Sequence, residues 1–379
     1  MKICAIICEY NPLHNGHLWQ IREAKEHSNA DAVLCIMSGD FVQRGETALL
    51  DKFTRAKHAV LAGADAVIQL PTVFATANAE LFARGAIRIL SSIPAVKTLS
   101  FGAENPDKTA FKLAARYLSN EPQEVSESIK KRVKEGVSYA KARAQAWAGF
   151  LPLDLLCSPN NILGVEYTKA ILTEEADIDI LPLQRQGSGY LDTALNQNFS
   201  SATAIRNAID NGESAKGFLP DFVYGDLPKT TKNDLERLEK YAILSKSKNE
   251  IAKVCDCTEG LENAFKRVAE TNEPLETLTS ARYTTSRIKR IALQNLLNIE
   301  ETLIRECLSS PLYLRVLAVR KQREDILSAL GESAYPLIIR AHDDEKLCKT
   351  AKRCYEKDIF AEKVYGILQK TKKKDDIFI

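Results

Sequence analysis

The chain has 379 residues, of which 45% are hydrophobic and 27% charged, and its formal net charge is +2. This composition is typical of a globular protein with two or three domains and excludes a disordered or fibrous chain. The small net charge excludes attraction of nucleic acid by the molecule as a whole, so binding would need a local basic surface. No apolar run reaches the roughly 18 residues of a membrane span, and we expect no membrane association.

The cysteine pattern indicates reduced thiols. There are nine cysteines, an odd number, and Cys4, Cys8 and Cys35 fall in predicted buried strands. This arrangement favours a cytoplasmic protein over one with a disulfide framework. Cys255 and Cys257 form a CxC pair without a second pair, so we expect no metal site built from protein side chains.

The first half of the chain alternates short apolar runs with helical periodicity. Buried strands are predicted at 2–7, 32–37, 66–70, 97–101 and 178–183. Helices are predicted at 18–27, 52–62, 77–90, 107–147 and 163–172. This alternation predicts an α/β fold, a doubly wound parallel sheet with right-handed crossovers.

The stretch after the first predicted strand is the main candidate site. Residues 8–17 (CEYNPLHNGH) place His14 and His17 on either side of Gly16, at the start of a helix. Two imidazoles and the free N–H groups of a helix N-terminus can face one bound anion. Ligands of such sheets bind where strands end and helices begin. Ordinary polar residues at a helix start are one alternative, and a zinc pair is another, disfavoured because no second ligand pair lies nearby.

The polar loop at 38–46 (SGDFVQRGE) leaves the second strand on the same side of the predicted sheet. Loops in this position often contact ligand, which makes Asp40, Gln43 and Arg44 candidates for holding substrate or leaving group. A solvated loop is the alternative interpretation.

Three further residues are weaker candidates. Glu9 and Asp51 offer carboxylates as general bases or metal anchors, although such residues are common at strand and helix ends. Gly102 ends a strand where a nucleotide could approach the backbone closely, and an ordinary turn glycine is equally plausible.

A second anion-binding pattern lies at 200–206 (SSATAIR). Ser201 and Thr203 carry hydroxyls at a helix start, and Arg206 lies one turn further on. Hydroxyls, free N–H groups and a guanidinium together form a phosphate cradle. The alternative is a helix capped by serine with no ligand.

We predict a domain boundary near residue 225, giving domains at 1–225 and 226–379, the second of them mainly α-helical. We infer the boundary from five residues that interrupt regular structure: Gly212, Gly217, Pro220, Gly225 and Pro228. Two further strands are predicted at 313–319 and 336–341.

The second domain contains a basic segment at 280–299. A cluster of cations increases the affinity for a nucleic-acid backbone, because each phosphate contact releases counterions. An aromatic ring can stack on an unpaired base. A solvated helix face is the alternative. The candidate RNA contacts are Arg282, Tyr283, Arg287, Lys289 and Arg290.

Eight motifs in this order are similar to those of the bacterial tRNA(Met) cytidine acetate ligase family: EYNPLHNGH, SGDFVQRG, GADAVIQLP, SFGAE, PNNILGVEY, LQRQGSGY, SSATAIR and ARYTTSRIKR. HNGH resembles the HIGH motif of the nucleotidyltransferase superfamily. Leu13 stands where this family usually has Phe, and Asp40 where Asn is common. The resemblance implies a HIGH-type, Rossmann-like nucleotidyltransferase fold, with a catalytic domain at 1–225 and a mainly helical, tRNA-binding domain at 226–379.

The resemblance also implies the activity and the site. The enzyme would activate acetate with ATP and Mg²⁺ as acetyl-adenylate and transfer the acetyl group to N4 of the wobble cytidine of elongator tRNA(Met), without a protein partner. The implied catalytic residues are His14, His17 and Arg206. The implied ATP contacts are Ile7, Cys8, Glu9, Tyr10, Asn11, Pro12, Leu13, His14, Asn15, Gly16, His17, Leu18, Trp19, Gln20, Gly102, Asn160, Asn161, Arg185, Ser201, Thr203 and Arg206.

Two other functions remain open from the sequence. One is a small-molecule nucleotidyltransferase that adenylylates a phosphorylated cofactor precursor, which would not need the basic helical region. The other is a non-catalytic RNA-binding protein on the same fold, which would have no tight ATP site.

Overall fold

The structure is a computed structural model that describes residues 1–137, 139–148, 150–152, 154–185, 200–369 and 379. Its strands are β1 (Ile3–Cys8), β2 (Ala32–Ser38), β3 (Phe41–Val42), β4 (Glu46–Thr47), β5 (Ala66–Leu70), β6 (Val96–Ala103), β7 (Asp179–Gln184), β8 (Leu314–Val319) and β9 (Leu337–Ile338). Seven of them form one sheet in the order β7-β6-β1-β2-β5-β8-β9, and β3 and β4 form a small antiparallel hairpin. Neighbours in the large sheet are parallel except β5 and β8.

The helices of the first half are α1 (Asn15–Ser28), α2 (Lys52–Leu61), α3 (Thr72–Ala75), α4 (Ala79–Ser91), α5 (Lys108–Ser119), α6 (Gln123–Lys134), α7 (Tyr139–Trp147), α8 (Asp154–Cys157), α9 (Pro159–Thr173) and α10 (Ala202–Asp210). Those of the second half are α11 (Asp221–Tyr224), α12 (Leu235–Ser245), α13 (Lys248–Ile251), α14 (Leu261–Ala269), α15 (Thr285–Leu297), α16 (Glu301–Ser309), α17 (Glu324–Gly331) and α18 (Lys349–Gln369), with 3-10 helices at Leu275–Leu278 and Ala341–Lys346. None of the described helices combines the length and the apolar character needed to cross a bilayer.

The two faces of the sheet are buried in separate cores. Side chains alternate along a strand, so Ile3 and Ala5 of β1 enter one core while Cys4 and Ile6 enter the other. Helices α4, α9, α16 and α18 contribute to the first core, and α1, α2 and α10 to the second. All seven residues of β2 are buried, as expected for a strand covered on both faces. The predicted α/β fold with a doubly wound sheet is therefore confirmed.

The five strands predicted in the first half lie within two residues of the observed bounds. The strand predicted at 336–341 is wrong beyond its first part, because β9 has only two residues and a 3-10 helix begins at Ala341. The Asp343 carboxylate accepts hydrogen bonds from the amides of Ile339 and Arg340 at 3.0 and 2.9 Å, which turns the chain away from the sheet.

The region beyond residue 225 has a core of its own and also completes the large sheet. Ile243, Ile251, Phe265 and Ile288 belong to a third hydrophobic cluster formed by α12 to α15. In contrast, β8 returns to the first domain and pairs with β5. The division at residue 225 stays a prediction, and the helical cluster is the part of the second region that packs by itself.

Candidate active site

A cavity of about 210 Å³, here called the main cavity, lies at the carboxyl ends of β1, β6 and β7. This is the edge at which doubly wound sheets bind ligands. Its wall consists of Ile7, Cys8, Glu9, Tyr10, Asn11, His14, His17, Gln20, Val42, Gln43, Arg44, Glu46, Phe82, Phe101, Gly102, Asn160, Leu163, Tyr167, Arg185, Ser201, Ala202, Thr203 and Arg206.

The two histidines form the cap of α1. His14 is the N-cap residue, and its Nδ1 accepts a hydrogen bond from the Gly16 amide at 3.1 Å. The His14 amide donates to Nδ1 of His17 at 3.3 Å, and the two rings stack with their centroids 3.7 Å apart. Because each Nδ1 accepts, the neutral rings carry their proton on Nε2. The helix therefore begins at Asn15, three residues before its predicted start, since an imidazole replaces the usual small polar cap.

Both imidazoles are neutral at neutral pH. Burial and, less strongly, the Arg185 guanidinium lower the pKa of His14 to about 3. Burial, the neighbouring His14 and Arg185 also lower the pKa of His17 well below its usual value. The positive charge in the wall comes instead from the guanidiniums of Arg44, Arg185 and Arg206. The cavity thus combines neutral N–H donors with permanent cations, which suits a polyanion.

The SSATAIR segment lies in the same wall as the histidines. The Ser201 hydroxyl caps α10 by accepting from the Ala204 amide at 3.1 Å. Arg206 donates from Nη1 to the carbonyl of Asn11 at 2.7 Å and from Nη2 to the Thr203 hydroxyl at 3.4 Å. The structure therefore brings together the two predicted anion-binding patterns, which are almost 200 residues apart in the sequence.

A buried arginine that the sequence interpretation missed supports the turn after β1. Arg55 of α2 is fully buried and donates to the carbonyls of Glu9 at 2.5 Å and Ser38 at 3.2 Å, as well as to the Gly39 carbonyl. It ties the end of β1 to the end of β2. A charged residue on the apolar face of the predicted helix 52–62 was the available signal.

Eight of the fourteen implied ATP contacts in residues 7–20 line the main cavity and the other six do not. Pro12, Leu13, Asn15, Gly16, Leu18 and Trp19 are absent from its wall. Leu13 is buried in the second core, and the Asn15 amide group donates to the Gly217 carbonyl at 2.8 Å. Leu13 and Asn15 therefore hold the turn in place, and none of the six residues lines the cavity.

Of the two candidate asparagines, Asn160 lines the main cavity and Asn161 does not. The Asn160 amide group donates to the Glu104 carboxylate at 2.7 Å, while Asn161 is fully buried and accepts from the Glu104 amide at 3.0 Å. Gly102 also lies in the wall, where a Cβ atom would be 3.2 Å from Cγ of Arg185. The glycine therefore leaves room for that arginine.

Of the three candidate carboxylates, one lines the main cavity and two do not. Glu9 lines the main cavity, its carboxylate accepts from the Gln43 amide at 2.7 Å, and burial raises its pKa. Asp40 is buried in an ion pair with Lys52 at 2.8 Å, and Asp51 caps α2 by accepting from the amides of Phe53 and Thr54. Neither Asp40 nor Asp51 lines the cavity, so the ligand role considered for Asp40 and the base or metal role considered for Asp51 are corrected to structural ones.

The apolar side of the main cavity was not anticipated. Phe82, Phe101, Leu163 and Tyr167 line it together with Gly102 and Asn160. They come from α4, β6 and α9, and in the sequence they look like ordinary core positions.

A second cavity of about 400 Å³ adjoins the first. It shares Arg44, Glu46, Thr203 and Arg206 with the main cavity and continues between the β3–β4 hairpin, α10, α12 and α15. Lys289 lies in this second cavity, paired with Glu46 at 2.9 Å and with Glu276 at 2.7 Å.

The other candidate RNA contacts differ in exposure. The Arg282 side chain is 72% exposed. Arg287 stacks on the Tyr283 ring at 5.0 Å and donates to the Asp256 carbonyl at 2.7 Å. Arg290 is 12% exposed and lies 3.8 Å from the Asp256 carboxylate. RNA binding by these residues stays a prediction, and the burial of Arg290 favours a structural role for that residue.

Comparison with known proteins shows which family the chain belongs to. Residues 1–377 match the family model described as HIGH Nucleotidyl Transferase. Proteins named tRNA(Met) cytidine acetate ligase from Clostridium perfringens (strain ATCC 13124) and Thermoanaerobacter sp. (strain X514) are 37% and 36% identical, over 97% and 98% of this chain and 96% of each of theirs.

Solved structures agree with this placement. The crystal structure of apo Thermotoga maritima TmcAL superposes with a TM-score of 0.90 at 29% identity, and the form bound with alpha-thio ATP with 0.87 at 28%, each covering 100% of both chains. The chain belongs to the HIGH Nucleotidyl Transferase family and, within it, to the family of tRNA(Met) cytidine acetate ligases.

Proposed function

We propose that this protein is an ATP-dependent ligase that forms acetyl-adenylate from acetate and transfers the acetyl group to N4 of the wobble cytidine of elongator tRNA(Met). The observation that carries the proposal is the shared wall in which the stacked rings of His14 and His17 meet Arg206. The names of relatives that match nearly the whole chain support the substrate assignment.

Acetate is a poor acylating agent because its oxygen is a poor leaving group, and adenylation bonds that oxygen to phosphorus, so that it can leave as part of AMP. A carboxylate oxygen of acetate attacks the α-phosphorus, and pyrophosphate leaves. The Nε2–H groups of His14 and His17 and the guanidinium of Arg206 donate to the phosphate oxygens on which charge develops. Neutral imidazoles suit this role since they donate hydrogen bonds without needing a proton from solvent.

Mg²⁺ belongs to this proposal as an ion that arrives on the triphosphate and neutralises its charge. The Glu9 carboxylate lies in the wall of the main cavity and would contact the ion or its waters. In the part of the chain that the structure describes, no cluster of three His, Cys, Asp or Glu side chains is arranged to hold a metal. The phosphates would therefore supply most of the ligands.

The remaining groups of the main cavity fit the nucleoside. Phe82, Leu163 and Tyr167 offer an apolar surface for the adenine ring, and Gly102 allows close approach to the β6 backbone. For the tRNA we propose Arg282, Tyr283 and Arg287 as surface contacts, the first by charge and the other two by a stacked pair. The expected location is the cytoplasm, where the tRNA substrate is found.

The test is acetate-dependent exchange of pyrophosphate into ATP. His14→Ala and His17→Ala should each reduce the exchange rate by about 10²–10³, the usual effect of removing one donor to a developing anion. His27→Ala is the matched control, because His27 lies on the same helix with its side chain 57% exposed. Near-normal exchange in both cavity variants would contradict the proposal.

The same preparation distinguishes the other functions. Labelled acetate should enter tRNA(Met) and not a tRNA(Met) whose wobble cytidine is replaced by uridine. Exchange without incorporation into tRNA would favour a small-molecule nucleotidyltransferase, and tRNA binding without nucleotide turnover would favour a non-catalytic RNA-binding protein.

A further inference from the structure

The second cavity, here called the acidic chamber, is a large space that the adenylation step does not use. Its volume of about 400 Å³ lies within the range of about 300–1,000 Å³ typical of small-molecule sites. It opens onto the main cavity at Thr203 and Arg206, the residues proposed to hold the phosphates. A group in the acidic chamber would therefore lie beside an adenylate in the main cavity.

Most carboxylates of the acidic chamber are held by partners. Glu46 and Glu276 pair with Lys289. Glu236 accepts from the Leu275 amide at 2.9 Å, and Asp210 accepts from the Thr231 amide at 2.8 Å. These four groups are explained by the contacts that join α10, α12, α15 and the hairpin.

Glu239 of α12 differs from the other carboxylates. It is 5% exposed, it lines the acidic chamber, and its Oε1 has no hydrogen-bond partner among the residues that the structure describes. A buried oxygen without a hydrogen-bond partner destabilises the fold. Its presence in a cavity wall therefore indicates that a bound ligand supplies the missing hydrogen bond.

The surroundings of Glu239 make it a base suited to neutral pH. Burial raises its pKa to about 8, the charges of Glu236 and Glu46 act in the same direction, and Lys289 opposes them. The other charged groups around the acidic chamber are Arg44, Arg206, Asp210 and Glu276. A carboxylate with such a pKa accepts a proton more readily than an exposed one and is still partly ionised at working pH.

We propose that the acidic chamber receives the pyrimidine base that carries the acceptor amine and that Glu239 accepts the proton which the amine loses. The assignment rests on the proposed function and deepens it. The exocyclic N4 amine of cytosine is a hydrogen-bond donor, for which a carboxylate oxygen is the natural partner. Uracil presents a carbonyl oxygen at the same position, which the ionised carboxylate would repel, so the ionised form of Glu239 also selects cytosine.

In the transfer step one bond forms, one bond breaks and one proton moves. The lone pair of N4 attacks the acetyl carbonyl carbon, and the bond from that carbon to the phosphate oxygen breaks with its electrons leaving on AMP. One N4 proton passes to the Glu239 carboxylate and then to solvent. The products are the N4-acetylated base and AMP.

The test uses Glu239→Gln in the full chain, which keeps the size of the side chain and removes the proton acceptor. Acetate-dependent pyrophosphate exchange, which does not involve the acceptor base, should stay within about threefold of the wild type. Single-turnover transfer from preformed acetyl-adenylate to tRNA should fall by about 10²–10⁴, the usual contribution of a general base. The wild-type transfer rate should rise with pH and be half-maximal near pH 8, and the variant should lack this rise.

Glu270→Gln is the matched control, because Glu270 is an exposed carboxylate next to the neighbouring helix α14. Transfer by Glu239→Gln at a rate near that of the wild type would overturn the assignment. Loss of exchange together with transfer would also overturn it, since Glu239 would then be structural. A wild-type protein without acetate-dependent exchange would instead overturn the proposed function, so the two failures are distinguishable.

Discussion

At the scale of single residues, the histidines of the main cavity are unusual because the fold keeps them neutral. An imidazole normally gains a proton below about pH 6.5, and the unfolded chain retains that property. The folded protein resists protonation of His14 until about pH 3, because burial and Arg185 disfavour the charged ring. His14 therefore stays neutral across the physiological range.

This neutrality predicts a particular dependence of stability on pH. Between about pH 3 and 6.5 the unfolded chain binds a proton at residue 14 that the folded protein does not bind. The free energy of unfolding should therefore fall as the pH is lowered through this window and be unaffected by His14 above it. In His14→Asn, which keeps a capping side chain, the fall between pH 7 and 4.5 should be smaller, as measured by urea denaturation.

The control for this experiment is His27→Asn, since the exposed His27 lies on the same helix. Its pH curve should run parallel to that of the wild type. A parallel curve for His14→Asn as well would show that burial of the His14 imidazole does not govern acid stability.

At the scale of secondary-structure elements, the β3–β4 hairpin packs directly against helix α15. Gly45, in the turn of the hairpin, has a φ of +77°, and a Cβ atom there would lie 2.5 Å from the backbone nitrogen of Arg290. The glycine thus permits both a left-handed turn and a close contact between two backbones. Gly45 itself lines the acidic chamber, so this contact fixes one part of the chamber wall.

Gly45→Ala should therefore destabilise the protein more than an alanine in an open turn. Gly136 is the matched control, because its φ is +87° and a Cβ atom there would meet nothing within 4 Å. Gly136→Ala should cost about 1 kcal/mol from backbone strain alone. Gly45→Ala should cost about 1–3 kcal/mol more from the forced shift of α15, as measured by urea denaturation. Equal losses would exclude the proposed contact as the cause.

At the scale of the whole molecule, a buried ion network joins the two ends of the chain. Lys52 is 1% exposed and lies 2.8 Å from both Asp40 and Glu362. Arg315 of β8 also pairs with Glu362, at 3.0 Å. The network holds the C-terminal helix α18 against the loop that follows β2, so the site depends on the last part of the chain.

Removing the central cation should leave the buried Asp40 carboxylate without its ion-pair partner. Lys52→Met is expected to lower the free energy of unfolding by about 3–5 kcal/mol. The double variant Asp40→Asn, Lys52→Met should lose less, because Glu362 keeps Arg315 as a partner. Urea denaturation of the three proteins measures both values, and a double variant no more stable than the single one would contradict the network.

The local pattern of the sequence was enough to predict the fold class, the position of the HNGH turn and the family. Apolar runs and helical periodicity predicted the α/β alternation, since strands and helices of a doubly wound sheet follow from patterns within about ten residues. The HNGH turn was predicted to lie at the end of β1 for the same reason, and the family was recognised from motifs that are each continuous. The cap formed by His14 was not anticipated, because imidazoles rarely take that role.

Only the tertiary structure decided which polar groups meet. Asp40 was a candidate ligand contact and is paired with Lys52, and Arg290 was a candidate RNA contact and is paired with Asp256. Neither pair was predictable, because ion pairs leave no periodic signal in the sequence. The acidic chamber is formed by a hairpin near residue 45 and helices beyond residue 230. Glu239 looks like an ordinary helix position in the sequence, and its character comes from burial among neighbours that the fold alone brings together.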